Sequence, residues 1–595
     1  MLRFLALVWN PECESAASEA DRSSQIIRAQ SEQWTCSFRV NGVMVLHSGG
    51  DLLSPEVRRL GGSRGVILGR VFAKRALRPD ARLEEVVECV WGSYVAFESD
   101  TGTAHLKVFR GPAGALPCFY ANLEQVRVFF CDVRDYLLLK SGTPSINWPW
   151  MATLLAYPRH ALGATATGIV GIEQVQPGEC LHCDPDGTIR RRLLWNPFQI
   201  AISEPIEDFS SAITAVRSAA RCAVWSWAAC YPRILLLLSG GLDSSIVLNC
   251  LCNAPSRPLV ECLTYFSRSC ITGDEREYAR QSAKSAGVLL RELEERVADT
   301  DLSLLLRLSK YPVPWTYLMY VRRSGCEGRI AAEVAAHAIF SGAAGDQIFF
   351  YGPAVMASAD FLRQRGFGAG FWRYALNIAR RNKLSLWSVL SASIRDRFVT
   401  PRYDPSRDIE SPNHLTTKEA HEEADNRVDI RHYWMPFAAG VPHGKLLHVM
   451  MTDCPQDAHD PFGSVDYPER IMPLNSQPLI EACLRVPTYI LTHAGWSRAA
   501  ARAAFADELP AQTVSRVSKG YIDSQNAELL ECNLAWAREW LLEGQLVAQR
   551  LIDRRKLEAL LTREQIRLSP VAGEIVCEHL SYEAWLRNWM PTRLS

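Results

Sequence analysis

Five consecutive apolar residues, Ile234 to Leu238, stand between polar flanks. A short run with no polar alternation predicts a strand covered on both faces, as at the centre of a parallel sheet. Ser239-Gly240-Gly241-Leu242-Asp243-Ser244-Ser245 follows at once, a turn with a helix expected from Leu242 or Asp243. A similar pattern recurs downstream. Ala331 to Ile339 has helical composition, Ala338 to Phe340 suits a short strand, and Ser341-Gly342-Ala343-Ala344-Gly345-Asp346-Gln347 is a second small-residue turn ending in a carboxylate. Between them, Leu263 to Ser267 reads as another strand, and Asp274-Glu275-Arg276 opens a helix running through Tyr278, Ala279 and Ala283. The pattern up to about residue 195 differs. Met1 to Trp9 is apolar with one Arg and is stopped by Asn10-Pro11-Glu12, too short for a signal peptide or a membrane span, so it is expected to be the first strand of the fold. Strand-and-turn texture then continues through Gly69-Arg70-Val71-Phe72, Trp91-Gly92-Ser93-Tyr94-Val95 and Arg110-Gly111-Pro112. From Phe361 to Phe398, aromatic and basic residues fall at helical spacings, among them Arg363, Arg365, Arg373, Arg380, Arg381 and Lys383. That segment is open to two readings, a solvated basic face or part of a peptide-binding wall. Asp404 to Asn426 is polar and expected to be loop.

The first turn has the chemistry of an anion nest. Gly240 and Gly241 let backbone N–H groups point inward, Ser239, Ser244 and Ser245 add hydroxyls, and the helix start offers its positive dipole end. Asp243 would be repelled by a polyphosphate unless a divalent cation lay between them, which makes it a candidate magnesium ligand. The lysine of a Walker loop is missing. An ordinary strand-to-helix turn with Ser or Asp as cap is the plainer alternative for this loop, and a Gly/Ala loop closing a βα unit is the plainer alternative for the second.

The whole string Ser239 to Ser245 resembles the pyrophosphate loop of the N-type ATP pyrophosphatases, which split ATP into AMP and pyrophosphate. Together with Ser341 to Gln347 it resembles the asparagine synthetase family. That resemblance implies ATP and Mg2+ as cofactors, with Ser341 and Gly342 near the nucleotide, Asp346 as a second magnesium ligand, and Leu237 and Phe266 near the adenine. It further implies an α/β fold: an N-terminal glutaminase-like sandwich over residues 1–200, then an ATP-dependent synthetase domain over 201–595. Position 343 departs from the pattern, holding Ala where asparagine synthetases have Glu and β-lactam synthetases have Tyr. Position 2 departs as well. The family's glutaminases need Cys there as nucleophile, and this chain has Leu2, so ammonia from glutamine is not expected and the N-terminal domain is expected to be a scaffold.

Without internal ammonia the attacking amine must come with the substrate. Pro442-His443-Gly444-Lys445, Asp460-Pro461, Pro473 to Glu481 with Leu484 to Thr488, and Gly495-Trp496-Ser497-Arg498 with Ala501 to Phe505 resemble the lasso-peptide cyclases, which join a peptide's N-terminal amine to an Asp or Glu side chain. In the relatives, a lysine at the position of Lys519, within Arg516-Val517-Ser518-Lys519-Gly520-Tyr521, reaches the site, where a mobile point charge suits an oxyanion and a departing pyrophosphate. Unaided, a basic residue before Gly reads as a cap or solvated loop. The resemblance implies a precursor core peptide as partner, with a leader-binding or leader-removing protease beside it. A small-molecule amide or β-lactam synthetase and a non-catalytic nucleotide-binding scaffold are the alternatives.

Composition narrows the partners. The 595 residues suit two or more domains, and 65 basic against 65 acidic side chains offer no bulk attraction for nucleic acid or a membrane. Eighteen cysteines at scattered spacings, with an isolated Cys180-x-x-Cys183, match neither a zinc site nor a disulfide scaffold, and a reduced cytoplasm is expected.

Overall fold

The computed structural model describes residues 2–590 apart from 31–32, 50–55, 63, 100–104, 114, 269, 271–272, 353, 399–414, 428, 454–460, 463–466 and 518–522. The N-terminal part holds two six-stranded antiparallel sheets. The expected first strand runs Arg3–Trp9, and its apolar run has a physical reason: both faces are covered. Phe4, Ala6 and Val8 point to the inter-sheet core, meeting Val66, Leu68, Val95 and Phe97 of the second sheet. Leu5, Leu7 and Trp9 point the other way, onto Ala16, Ala20 and Ile27 of the helix Glu14–Gln30. Leu2 joins the inter-sheet core at 6% exposure. The outer face of the second sheet, with Ile67, Val71 and Trp91, shares one continuous core with Val216, Ala220 and Ala223 of the long helix Phe209–Ala228.

The C-terminal part is built on a five-stranded parallel sheet. Its strands are β1 (Arg233–Leu237), β2 (Leu259–Phe266), β3 (Leu290–Glu294), β4 (Ala338–Ser341) and β5 (Glu469–Ile471). The spatial order is β3-β2-β1-β4-β5, every pairing parallel. Helices α1 (Leu242–Cys252), α2 (Arg276–Ala286) and α3 (Leu318–Glu333) follow β1, β2 and β3. The strand order therefore reverses between β1 and β4, the place where open α/β sheets leave a crevice beyond the strand ends. Both small-residue turns emerge from those two strands.

Two expectations are corrected here. The helical segment expected to reach Ile339 ends at Glu333, because Ala335 turns left-handed (φ 50°) and the Ala336 N–H donates back to the Ala331 carbonyl. Of the polar stretch expected to be loop, Lys418–Asn426 is a helix capped by Thr417, with Ala420 and Ala424 buried, while 404–414 lies outside the described residues. The basic segment forms three helices, Ala354–Arg365, Ala369–Arg381 and Leu386–Phe398. No helix among the described residues is long and apolar enough to cross a membrane. Among the described residues the cysteines are all free, Cys180 and Cys183 both being buried.

Candidate nucleotide site

The two turns touch, and glycine is what lets them. A Cβ at Gly342 would lie 2.4 Å from the Ser244 backbone nitrogen, and one at Gly345 would lie 2.5 Å from Cγ of Asp243. Gly240 has φ +72°, and a Cβ there would meet the backbone nitrogen of Ala279 in α2 at 2.5 Å. Gly241 precedes α1, and its N–H donates to Ser239 Oγ (3.3 Å), which lies 3.1 Å from Ser244 Oγ. The first-turn N–H groups of Leu242, Asp243 and Ser244 have no acceptor within the helix, and all three residues line one crevice.

That crevice is a cavity of about 400 Å³. Leu237, Ser239, Gly241, Leu242, Asp243, Ser244, Ser341, Gly342 and Asp346 all line it. Three expected residues do not. Gly240 supports the turn from behind, Ser245 is buried with its hydroxyl 3.0 Å from Ser282 Oγ, and Phe266 ends β2 with the Arg276 guanidinium 3.7 Å from its ring centroid. Lys519 lies outside the described residues.

The two candidate magnesium ligands do converge. Arg498 Nη1 donates to Asp243 Oδ2 and to Asp346 Oδ1, each at 2.7 Å. One guanidinium nitrogen thus sits between the carboxylates where a divalent cation shared with a phosphate would be held. Arg498 is 7% exposed, has φ +56°, and leaves its buried Nε without a hydrogen-bond partner among the described residues. The donor set suits Mg2+, which takes one or two carboxylates and leaves the remaining positions to phosphate and water. Among the described residues there is no tighter group of three His, Cys, Asp or Glu side chains.

A second arginine faces the same cavity. Arg516 Nη2 donates to Glu275 Oε1 (2.6 Å) and its guanidinium lies 4.0 Å from the Tyr278 ring centroid, while its buried Nε and Nη1 have no hydrogen-bond partner among the described residues. Arg502 holds this stretch in place by donating to the carbonyls of Ser497 (3.0 Å), Val514 and Arg516 (2.8 Å). Burial, followed by the neighbouring Arg498, pushes its pKa down to about 10, so it remains a cation. The far wall is polar too: Glu327 accepts from Tyr265 (2.5 Å), Tyr467 (2.6 Å) and Arg470. Burial raises the Tyr265 phenol well above its usual range.

No local signal in the sequence marks Arg498 as a site residue. Nothing in the order of residues shows that a side chain far along the chain closes onto Asp243. Elsewhere in the C-terminal part, Ser476 accepts from the buried Trp227, Gln477 donates to Glu481, and Lys445 is enclosed beside His448.

A parallel sheet whose strand order reverses where two small-residue turns meet defines an open α/β domain with a crevice at the strand ends. The chain belongs to the asparagine synthase family, whose model matches residues 218–587, and this places it among ATP-dependent amide-forming ligases. No curated protein sequence matches it. Among solved structures, the U34-tRNA thiolase NcsA from Methanococcus maripaludis, with its [4Fe-4S] cluster, shows 13% identity over 36% of this chain and 72% of its own, with a TM-score of 0.17. Glutamine phosphoribosylpyrophosphate amidotransferase from B. subtilis, complexed with ADP and GMP, shows 10% identity over 58% of this chain and 91% of its own, with a TM-score of 0.19. Overlaps this loose assign nothing to the present chain.

Proposed function

We propose that this protein is an AMP-forming macrolactam synthetase of the lasso-peptide type, which adenylates an Asp or Glu side chain of a core peptide and lets the peptide's own N-terminal amine displace AMP. The observation that carries the ATP-dependent part is the pair of touching turns with Asp243 and Asp346 on one guanidinium. Mg2+ between those carboxylates would neutralise the polyphosphate and draw charge from the bond that breaks. The chain's own groups do the rest. Ser239, Ser244 and the first N–H groups of α1 hold phosphate oxygens, while Arg498 and Arg516 supply cations for the pyrophosphate as it departs. Lys519 is proposed for the oxyanion on the strength of the family resemblance, a mobile point charge being suited to that role. An α-amine with a pKa near about 8 is partly neutral at neutral pH, and no separate base is assigned.

The peptide part of the reading is supported by position 2 and by Ala343. Leu2 offers no thiol and fills the sandwich core, so the N-terminal part is proposed as a scaffold, and glutamate release from glutamine should not exceed that of a heat-killed control. Ala343 lines the nucleotide cavity without a carboxylate or phenol, which leaves room beside the phosphates for a larger acyl group. A core peptide, a leader-handling protease and a reduced cytoplasm complete the proposal. Phosphorus NMR of ATP, Mg2+ and the chain with leader-free peptides tests the chemistry: AMP and pyrophosphate support it, and ADP with inorganic phosphate refutes it.

A further inference from the structure

A second cavity, of about 300 Å³, opens beside the first and shares Ala344, Gln347 and Met472 with it. We propose that this chamber seats a peptide segment bearing a free α-amine beside the shared residues Ala344, Gln347 and Met472, next to the nucleotide cavity. The proposal rests on the reading of the chain as a peptide amide ligase and adds the place where the amine partner is held.

The chamber lies where the N-terminal sandwich, the 311–316 loop and the last long helix, Pro570–Trp589, meet. Its walls combine apolar and aromatic surface, including Leu162, Val313 and Trp315, with a few converging polar groups, the make-up of a ligand pocket rather than of a packing defect. Three charged residues line it: Arg110, Asp453 and Glu578. Arg110 is 8% exposed and already donates to the Val175 carbonyl at 2.9 Å. Asp453 is held by His432 Nε2 (2.8 Å) and Glu578 accepts from Tyr582 (2.6 Å), so each carboxylate is positioned and keeps further acceptor capacity. The buried Nε1 of Trp315, which also lines the chamber, has no acceptor among the described residues, leaving a donor for a ligand carbonyl.

Charge separates the two cavities. Five arginines (323, 470, 498, 502 and 516) against Asp243, Glu275, Glu327 and Asp346 leave the nucleotide side positive by one, whereas one arginine against two carboxylates leaves the chamber negative by one. Polyphosphate is favoured in the first and an ammonium in the second. An ammonium with a donor for a neighbouring carbonyl is the signature of a peptide N-terminus.

The test uses the full chain and two random octapeptide pools containing Asp and Glu, one with free amino termini and one N-acetylated, with retention read by native mass spectrometry. ATP·Mg2+ affinity is measured in parallel by calorimetry. The free-amine pool should be retained about 10-fold better, the size of a charge-assisted contact, and the double variant Asp453→Asn/Glu578→Gln should lose that preference with ATP affinity unchanged within about twofold. Equal retention of the two pools by the wild-type chain, or an undiminished preference in the double variant, overturns the proposal while intact ATP binding leaves the ligase reading standing. Loss of ATP binding by the wild-type chain overturns the ligase reading itself. Should the double variant fail to fold, the comparison of pools on the wild-type chain and on Glu578→Gln alone decides.

Discussion

Gly342→Ala is the most informative single substitution, because it adds one methyl group at the point where the two turns meet. The new Cβ would stand 2.4 Å from the Ser244 nitrogen and 2.7 Å from its Cα. Both are backbone atoms of the first turn of α1, so no side chain can swing away. The loops must part by about 0.6 Å to reach the 3.0 Å that real Cβ atoms respect, and by about 1 Å for ordinary contact. Overpacking of this kind costs about 1–3 kcal/mol. If the bound state needs the loops together, that cost falls on ATP·Mg2+ binding, a loss of about 5- to 150-fold in affinity. The rate of AMP formation should fall further, since a displacement of about 1 Å at reacting groups costs about 10²-fold. Gly241→Ala is the control, its Cβ meeting only Ser239 Oγ at 3.3 Å, a hydroxyl able to shift. Calorimetric titration of ATP·Mg2+ into both variants separates them. A Gly342→Ala affinity within twofold of wild type would refute the claim that the two turns act as one site.

Asp243→Asn and Asp346→Asn should each raise the Mg2+ concentration needed for AMP formation by at least about 10-fold, with circular dichroism unchanged; a lost fold in either would mark the carboxylate as structural. Lys519→Ala should lower macrolactam formation by about 10²–10³-fold while peptide affinity changes little, and a near wild-type rate would leave this lysine a solvated loop residue. The buried pair Lys445 and Asp360 predicts a pH signature. Burial lowers Lys445 from 10.5 to about 7 and raises Asp360 from 3.8 to about 6. Between about pH 7 and 10.5 the unfolded chain holds more protons at Lys445, so stability rises with pH there; between 3.8 and about 6 the folded chain holds more at Asp360, so stability falls as pH rises. Chemical denaturation of Lys445→Met from pH 8 to 9.5 should lack a rise of about 1.4 kcal/mol per pH unit present in wild type, and equal slopes would contradict this.

The sequence made the central strand, the two turns and their carboxylates legible because each is a local signal. An unbroken apolar run means two covered faces, and Gly beside Ser beside Asp has few other uses. The same directness gave the helix at Arg276 and the first strand at Arg3. What stayed hidden was contact between distant segments. Arg498 closes on Asp243 from 255 positions away, and Ser245 turns to Ser282 rather than to phosphate because it sits on the face of α1 that packs against α2. Phe266 was placed beside the adenine by resemblance, and a one-residue uncertainty in register is enough to turn such a side chain from the cavity to the neighbouring Arg276. The second chamber had no signature either, its lining being scattered from Arg110 to Tyr582.

The most direct test is the mass of the peptide product. Leader-free peptides with a free amino terminus and an internal Asp or Glu, incubated with the chain, ATP and Mg2+, should yield a species lighter by one water and resistant to aminopeptidase, with one AMP formed for each ring closed. AMP without any such species, or a dehydrated product still open to aminopeptidase, would contradict macrolactam closure.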